Sequence, residues 1–370
     1  MSLASKLRDK IKENINVSQQ QGIIIIVVIF VIVLLIYFYN KIAQKENNCK
    51  NLKKIYEDEI SGGYGHIKFS EIVDDPSYNT FTDSNGNTHD LQLRDVYIKT
   101  AYNACCSGNF KTDYVDLCAL RLPAFYGVRA LDFQIYSLKN EPIVAASTTT
   151  SHNYKETINH LNFVDVMYEV KKLFVAHNEY KMGDDPLFLI FRLHTTNVDV
   201  YNRMASVLGE VYDVDNLSRK QLNIDYDNYE YDFINNTKLS SLKKKIIIIV
   251  IHDENSNNEI EKSDLGKYVD TYGSSMQLHR YSELKDNQTQ TTLKRVSTKK
   301  LSYCMPNLEN SNDNFDFLLP LSLGFQFVGM NFQNKDTYLD EYNDFFMNSY
   351  GTNNKSHIGF IKKPDMLLEV

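Results

Sequence analysis

The sequence lacks tryptophan and has no surplus of basic residues. Its 40 lysines and arginines are outnumbered by 47 aspartates and glutamates, which gives a formal net charge of −7. A protein dedicated to nucleic acid would normally carry a basic surplus, so we expect no nucleic-acid partner. Apolar residues make up 43% of the chain and charged residues 24%, which is ordinary globular composition and excludes a disordered or fibrous protein.

Cysteines are few and odd in number. With 5 of them, a fully paired disulfide framework is excluded. The neighbours Cys105 and Cys106 cannot easily pair with each other, and no C-x-x-C motif is present. The sequence therefore predicts a mostly reduced chain.

One long apolar run lies near the N-terminus. Residues 23–39 read IIIIVVIFVIVLLIYFY, without a charge. A helix of this length covers about 25 Å, close to the roughly 30 Å hydrocarbon core of a bilayer. A cleavable signal peptide is disfavoured, because Asn40 and Lys41 follow the run instead of small residues. We expect a single-pass membrane anchor at residues 23–39, with the lipid bilayer as its partner, preceded by a short polar tail at residues 1–22.

The orientation of this anchor is left open by the sequence. Basic residues lie on both sides of it, so the positive-inside rule has little asymmetry to use: Lys6, Arg8, Lys10 and Lys12 before, and Lys41, Lys45, Lys50, Lys53 and Lys54 after. Asn-x-Ser/Thr triplets include those that begin at Asn216, Asn235, Asn287 and Asn354, but an Asn-rich chain produces such triplets by chance. Neither pattern identifies the membrane or the compartment.

The remaining residues alternate between short apolar runs and helical periods. Residues 40–91 are polar and rich in turn signals, which predicts a stalk leading into the folded part. Strands rich in Ile, Val, Leu and Phe that alternate with helices indicate a parallel sheet buried on both faces. We expect an α/β fold, with a (β/α)₈ barrel as the first choice and a doubly wound sheet as the second. The predicted strands are 128–136, 143–146, 187–193, 245–251, 325–332 and 358–361, and the predicted helices are 163–180 and 198–211.

Six segments resemble, in the correct order, the catalytic barrel of phosphoinositide-specific phospholipase C. They include GVRALDFQI at 127–135, GFQFVGMNFQ at 324–333 and GFIKKP at 359–364, with further matches at 185–194, 242–247 and 310–314. The resemblance implies a TIM-like barrel of the phospholipase C-like phosphodiesterase type. Its X-like half would span residues 92–252 and its Y-like half residues 264–370, joined by a charged surface linker at 253–263.

The positions that carry the family's proton transfer have changed. The resemblance implies two histidines, one acting as general base and the other as general acid. Tyr102 stands at the first of these positions and Ala146 at the second. A phenol with a pKa near 10 is a poor proton carrier at neutral pH, and an alanine side chain transfers no proton.

The implied calcium site has changed as well. Its ligand positions hold Asn103, Asp132, Gln134 and Arg192. A guanidinium repels a cation, and strand geometry brings Asp132 and Arg192 to the same barrel mouth, where they could form a direct ion pair. No cofactor is therefore expected, and calcium would be expected only if the site were functional after all. Two lysines that grip phosphates in the family are replaced by Ile249 and Ile251.

Other residues could bind or react in the mouth. Arg192, Asn103, His194 and Ser311 are candidate ligands for a phosphorylated headgroup, with Asp132 orienting the guanidinium. His194 could also act as a substitute proton carrier, although a structural contact is the simpler interpretation. His152 would need a returning loop to reach the site. Cys105 and Cys106 are interpreted as packing residues, since no histidine is adjacent to them in sequence.

Two functions follow from this pattern. The first is a membrane-anchored pseudoenzyme with a structural, adaptor or weak headgroup-binding role. The alternative is an active phosphoric diester hydrolase, acting on phosphoinositide or a related lipid by an altered mechanism. The Asn-, Ile- and Lys-rich composition is typical of an AT-rich genome, such as that of a large DNA virus or a protist, which makes other membrane or virion proteins candidate partners.

Overall fold

The structure is a computed structural model, and its contacts divide the chain into two units, Met1–Asn48 and Cys49–Val370. It describes residues 3–61, 66–67, 80–82, 86–150, 154–176, 185–218, 233–252, 257–347 and 356–368. His152, Asn354, part of the predicted linker (253–256) and the turn signals at 62–63 and 74–76 lie outside these ranges.

Eight parallel strands build the barrel. In chain order they are β1 Val96–Ala101, β2 Ala130–Leu138, β3 Leu187–Leu193, β4 Ile246–Ile251, β5 Thr271–Tyr272, β6 Gln277–Arg280, β7 Ser302–Met305 and β8 Phe327–Met330. Neighbours in the chain are neighbours in the sheet from β1 to β5 and from β6 to β8, and β8 pairs in parallel with β1. The expected TIM-like barrel is therefore confirmed, and the doubly wound alternative is wrong.

The described helices alternate with these strands. They are α1 Leu3–Ser61, α2 Arg121–Phe125, α3 Phe163–Val170, α4 Val198–Val211, α5 Asn257–Lys262, α6 Asn287–Ser297, α7 Leu318–Ser322 and α8 Thr337–Met347. The alternation fails once, because β5 and β6 are joined only by the turn Gly273–Ser275. Antiparallel strands at Glu141–Ala145 and Phe360–Lys362 extend the sheet beside β2 and β1.

The strongest sequence patterns give the best-predicted elements. Every residue of β3 is buried, as expected for a strand with the barrel interior on one face and helices on the other. The bounds of α4 agree with the prediction, because its buried residues recur at helical spacing from Val200 to Val211. Its first turn is capped by Asn197, whose side-chain oxygen accepts a hydrogen bond from the backbone N–H of Asp199 at 3.0 Å.

Two predicted connections contain more structure than expected. The predicted stalk begins within α1, which continues to Ser61, and Leu52 is buried in the barrel unit. The linker predicted at 253–263 includes α5, whose Ile260 is fully buried. Polar composition concealed both, since the apolar side chains that dock each stretch are few and its other faces meet solvent.

The apolar run predicted as an anchor lies in α1. The part of this helix over Gln21–Ser61 includes a window of mean hydropathy 3.2, which is long and apolar enough to cross a membrane; a signal sequence would meet the same criterion. Further along, residues 49–61 pack on the barrel. Tyr56 meets Phe125 edge to face at 5.2 Å, and Glu59 forms an ion pair with Lys335.

The prediction of a mostly reduced chain needs correction. Cys49 and Cys118 form a disulfide, although 69 positions separate them in the sequence. Cys105, Cys106 and Cys304 are free and buried. Sequence spacing could not indicate the pair, because helix packing brings Cys49 to the barrel.

A buried amine lies outside the barrel interior, beneath α8. Lys99 points away from the mouth, and its Nζ lies 5.5 Å from the ring centres of Tyr126 and Phe346. This amine and both ring nitrogens of the buried His357 have no hydrogen-bond partner among the described residues. Burial lowers the pKa of Lys99 well below its ordinary value, against a smaller opposing effect of Asp344. The pKa of His357 is lowered by burial and by Lys99.

We expect Lys99→Met to stabilise the protein. An amine whose folded pKa is depressed binds its proton more tightly in the unfolded chain, so stability falls as pH drops below the unfolded pKa of about 10.4. Removing the amine should raise the free energy of unfolding at neutral pH by about 1–3 kcal/mol. This gain should shrink as the pH approaches about 10. Thermal unfolding across this pH range, with the exposed Lys262→Met as control, measures the effect; a destabilised Lys99→Met variant would contradict it.

Candidate functional site

The candidate site lies at the carboxyl ends of the barrel strands. Tyr102 and Asn103 follow β1, Asp132 and Gln134 lie on β2, and Arg192 lies on β3. Parallel pairing aligns Gln134 with Arg192 and Asp132 with Ile190, so the side chains of Asp132 and Arg192 come from adjacent strands and the same face. Four of the sequence-predicted residues therefore meet in one hydrogen-bonded cluster: Tyr102, Asn103, Asp132 and Arg192.

The centre of this cluster is an ion pair between Asp132 and Arg192. Nε of Arg192 donates to Oδ2 of Asp132 at 2.8 Å, and Nη2 donates to Oδ1 at 2.6 Å. This is the two-pronged geometry in which a guanidinium binds a carboxylate most strongly. Arg192 is only 5% exposed and Asp132 is fully buried. The direct pair that the sequence left as a possibility is thus present.

Asn103 and Tyr102 complete the coordination of the guanidinium. Oδ1 of Asn103 accepts a hydrogen bond from Nη2 at 2.5 Å, and the hydroxyl of Tyr102 accepts one from Nη1 at 3.1 Å. Asn103 has a backbone φ of 45°, a left-handed conformation that asparagine tolerates better than most residues. Its backbone N–H donates to Oδ1 of Asp132 at 3.2 Å, so the turn after β1 is fastened to the carboxylate.

Tyr303 on β7 is a member of the cluster that sequence reasoning missed. Its hydroxyl donates to Oδ2 of Asp132 at 3.1 Å. The close approach depends on Gly329 of β8, since a Cβ there would lie 2.9 Å from the Tyr303 hydroxyl and 3.2 Å from Cβ of Tyr102. A glycine between two apolar residues of a strand was the available signal.

The described contacts of the other predicted site residues are with different partners. Gln134 is bonded to Ser147, accepting from its N–H at 3.0 Å and donating to its carbonyl at 3.1 Å. The ring of His194 stacks on Tyr136 at 4.9 Å. Ser311 is exposed, accepts a hydrogen bond from the N–H of Asp313, and is not among the residues that line the cavity beside the cluster. Ala146 is fully buried.

The buried hydroxyl and thiol groups around the cluster are held in their neutral forms. Burial and Asp132 raise the pKa of Tyr303 well above its ordinary value, and burial raises the pKa of Tyr136. The thiols of Cys105 and Cys106 also have raised pKa values, first through burial. Although burial opposes the charge of Arg192, the neighbouring Asp132 raises its pKa above the ordinary value. Within the cluster, these shifts favour a charged Arg192 and a protonated Tyr303.

The residues at the implied calcium positions do not fit the ion. Calcium takes six to eight oxygen ligands at about 2.3–2.6 Å. Here the oxygens of Asn103 and Asp132 are already bonded to the guanidinium of Arg192, which places a positive charge where the ion would be held. Gln134 is committed to Ser147.

A small cavity of about 120 Å³ opens beside the cluster. Its lining combines two arginines and two histidines with hydroxyl and apolar side chains: Thr149, Thr150, Arg192, Leu193, His194, Ile251, His252, Arg280 and Met305. Arg280, at the end of β6, is a second residue that sequence reasoning missed. Its Nη1 donates to the Tyr102 hydroxyl at 3.0 Å and to the carbonyl of Pro306 at 2.8 Å. Nε and Nη2 of Arg280 make no hydrogen bond within the described part of the chain.

Comparison with known proteins gives structural matches alone. The structure of PLC21 from L. pealei aligns with a TM-score of 0.56 at 17% identity, covering 75% of this chain and 38% of that one. PLC21 from S. officinalis aligns with a TM-score of 0.58 at 18% identity, covering 80% of this chain and 41% of that one. The chain has the fold of the phospholipase C catalytic barrel.

This assignment rests on shape. No protein-family model and no curated protein sequence matches the chain. The chain also spans only about two fifths of the length of the two PLC21 proteins. The resemblance noted in the sequence is confirmed for the fold, while the chemistry of this phospholipase C-like barrel must be judged from its own residues.

We expect Arg192→Met to destabilise the barrel by about 3–5 kcal/mol, because it leaves the Asp132 carboxylate buried and unpaired. The double variant Asp132→Asn with Arg192→Met should recover part of that loss, since it removes the stranded charge. Thermal unfolding measures both. The exposed pair Lys267–Asp264 provides the control, because Lys267→Met should cost less than about 1 kcal/mol. The prediction would be contradicted if Arg192→Met lowered the free energy of unfolding by no more than Lys267→Met does.

Proposed function

We propose that the chain is a membrane-anchored phospholipase C-like barrel that has lost phosphodiester hydrolysis and acts as a structural, adaptor or weak anion-binding protein. The observation that carries this proposal is the guanidinium of Arg192, bonded to Asp132, Asn103 and Tyr102 at the centre of the mouth. The guanidinium therefore places a positive charge of the chain's own where the resemblance implies a calcium ion.

Loss of proton transfer supports the same conclusion. Tyr102 accepts hydrogen bonds from Arg192 and Arg280, so its hydroxyl is committed to two cations. Ala146 cannot carry a proton. A single general acid or base contributes on the order of 10²–10⁴ in rate. Loss of two, even without full additivity, leaves little of the reaction.

The anchor in this proposal is the apolar part of α1. Its side chains over residues 23–39 are between 37% and 73% exposed, which would be costly in water and is favourable in lipid. An anchor would hold the barrel close to lipid headgroups and to other membrane or virion proteins. Even weak affinity for such neighbours would then be populated, because tethering raises their effective concentration.

The anion-binding role depends more on Arg280 than on Arg192, which the sequence favoured. Each nitrogen of Arg192 already donates to a partner in the cluster, and its charge is paired with Asp132. Arg280 is half-buried and faces the cavity with two donor nitrogens uncommitted among the described residues. No carboxylate lines the cavity in the part of the chain that the structure describes. A guanidinium in such a setting suits a phosphorylated headgroup without a metal.

An active phosphodiesterase of altered mechanism is the second candidate. The observation in its favour is that His194 and His252 line the same cavity as Arg192 and Arg280. Two imidazoles could supply an acid and a base, while the arginines could stabilise phosphate charge. Against it, the ring of His194 is stacked on Tyr136.

We expect the full-length protein, purified in detergent and mixed with phosphatidylinositol vesicles, to release no inositol phosphate above the enzyme-free rate, with or without calcium. The reason is that Tyr102 and Ala146 occupy the two positions where the resemblance implies proton-carrying histidines. Release of radiolabelled headgroup measures it. Hydrolysis that is lost in both His194→Ala and His252→Ala would overturn the proposal in favour of the second candidate.

We expect inositol phosphates to bind weakly in the presence of chelator, with a Kd of about 1 mM, equivalent to roughly −4 kcal/mol. Arg280→Ala should weaken binding about tenfold, because it removes the uncommitted guanidinium. The exposed Arg295→Ala, on α6, is the matched control and should leave binding unchanged. NMR or calorimetric titration measures the affinities. Binding that requires calcium, or that Arg280→Ala does not weaken, would rule out this site.

A further inference from the structure

The disulfide between Cys49 and Cys118 has no part in the barrel mouth. Its two Cα atoms are 5.8 Å apart, within the usual range for a bridged pair. Cys49 belongs to α1, and Cys118 belongs to the short 3₁₀ helix Leu117–Leu120. The carboxylate of Asp116 fixes this turn by accepting a hydrogen bond from the N–H of Cys118 at 3.0 Å.

Independent contacts bring the two sulfurs together. On the same helix, Leu52 is buried and Tyr56 packs against Phe125 of α2, directly after the turn that holds Cys118. Further along the same helix, Glu59 forms an ion pair with Lys335. The docked position of residues 49–61 is thus specified by apolar and ionic contacts, and the disulfide joins cysteines that these contacts have already aligned.

The three other cysteines are unsuited to exchange with this pair. Cys105, Cys106 and Cys304 are buried, and burial raises the pKa of each. A thiol that stays protonated is a poor nucleophile in thiol–disulfide exchange. The five cysteines therefore divide into one bridged pair and three inert thiols, which also accounts for their odd number.

We infer that Cys49–Cys118 is a structural disulfide formed in an oxidising compartment, and that this fixes the orientation of the anchor. Structural disulfides persist outside the reducing cytosol. Residues 40–370 would then lie on the oxidising side of the membrane and residues 1–22 on the reducing side. The orientation depends on the anchor in the proposed function, whereas the disulfide does not.

Cys49 and Cys118 would be oxidised by thiol–disulfide exchange. The two S–H bonds of Cys49 and Cys118 are replaced by one S–S bond. Their two electrons and two protons pass to the disulfide of a thiol oxidoreductase in that compartment, which leaves as a dithiol. The basic residues are similar on the two sides of the anchor and do not indicate its orientation. The disulfide does, because it forms on one side only.

Alkylation of the full chain in isolated membranes tests the disulfide. Denatured, unreduced protein should take up maleimide-polyethylene glycol at three of its five cysteines, and at all five after reduction. Cys49→Ser should expose one additional thiol without reduction, while Cys105→Ser, the matched control, should remove one and leave the pair oxidised. Five reactive thiols without reduction would overturn the inference. So would one bound zinc ion per chain that is lost in Cys49→Ser, because Cys49, Asp116 and Cys118 would then be metal ligands.

Protease protection tests the orientation. In sealed microsomes, a tag at the C-terminus should survive external protease until detergent is added, and a tag at the N-terminus should be removed. An accessible Asn-x-Ser/Thr site gives a second readout, since Asn287 is exposed at the start of α6 and its glycosylation would require the same side. Digestion of the C-terminal tag in sealed microsomes would overturn the orientation. Carbonate extraction of the whole protein from the membrane would overturn the anchor while leaving the alkylation result valid.

Discussion

The barrel mouth depends on one buried ion pair, Asp132 with Arg192. Each oxygen of the carboxylate and each nitrogen of the guanidinium has a partner within the cluster. A buried pair of this kind is costly to break because the surviving charge would be stranded away from water. Tyr102, Asn103 and Tyr303 are arranged around it, and Gly329 leaves the space in which the two tyrosines can approach. The pair therefore organises four strands of the barrel, β1, β2, β3 and β7.

The same interaction limits what the mouth can do. Groups that could bind a cation are bonded to a guanidinium, and the nearby hydroxyls and thiols are kept protonated by burial. The small cavity beside the pair is lined by Arg280 and two histidines, among other residues. The mouth of this phospholipase C-like barrel thus holds an internal ion pair at the residues that could otherwise bind a cation. The proposed loss of hydrolysis rests on this arrangement, since turnover requires groups that gain and lose protons.

A second set of contacts holds residues 49–61 of α1 against the barrel. Apolar packing of Leu52 and Tyr56, an ion pair and a disulfide act on the same short stretch of helix. The stretch follows the apolar run without a break in the helix. A covalent link at this point means that the docked end of the helix cannot separate from the barrel while the disulfide is intact.

The sequence by itself determined the fold class, the long strands and helices, the apolar run and the identity of the altered positions. These features depend on local periodicity and on side-chain chemistry, both of which can be recognised in the sequence. The fully buried strand β3 and the helical spacing of α4 are examples of such periodicity. Only the tertiary structure decided that Arg192 pairs with Asp132, that Tyr303 and Arg280 join the mouth, and that Cys49 meets Cys118. Each of these facts joins residues far apart in the chain, and such distances follow from how strands close a barrel and how a helix docks, which no local pattern records.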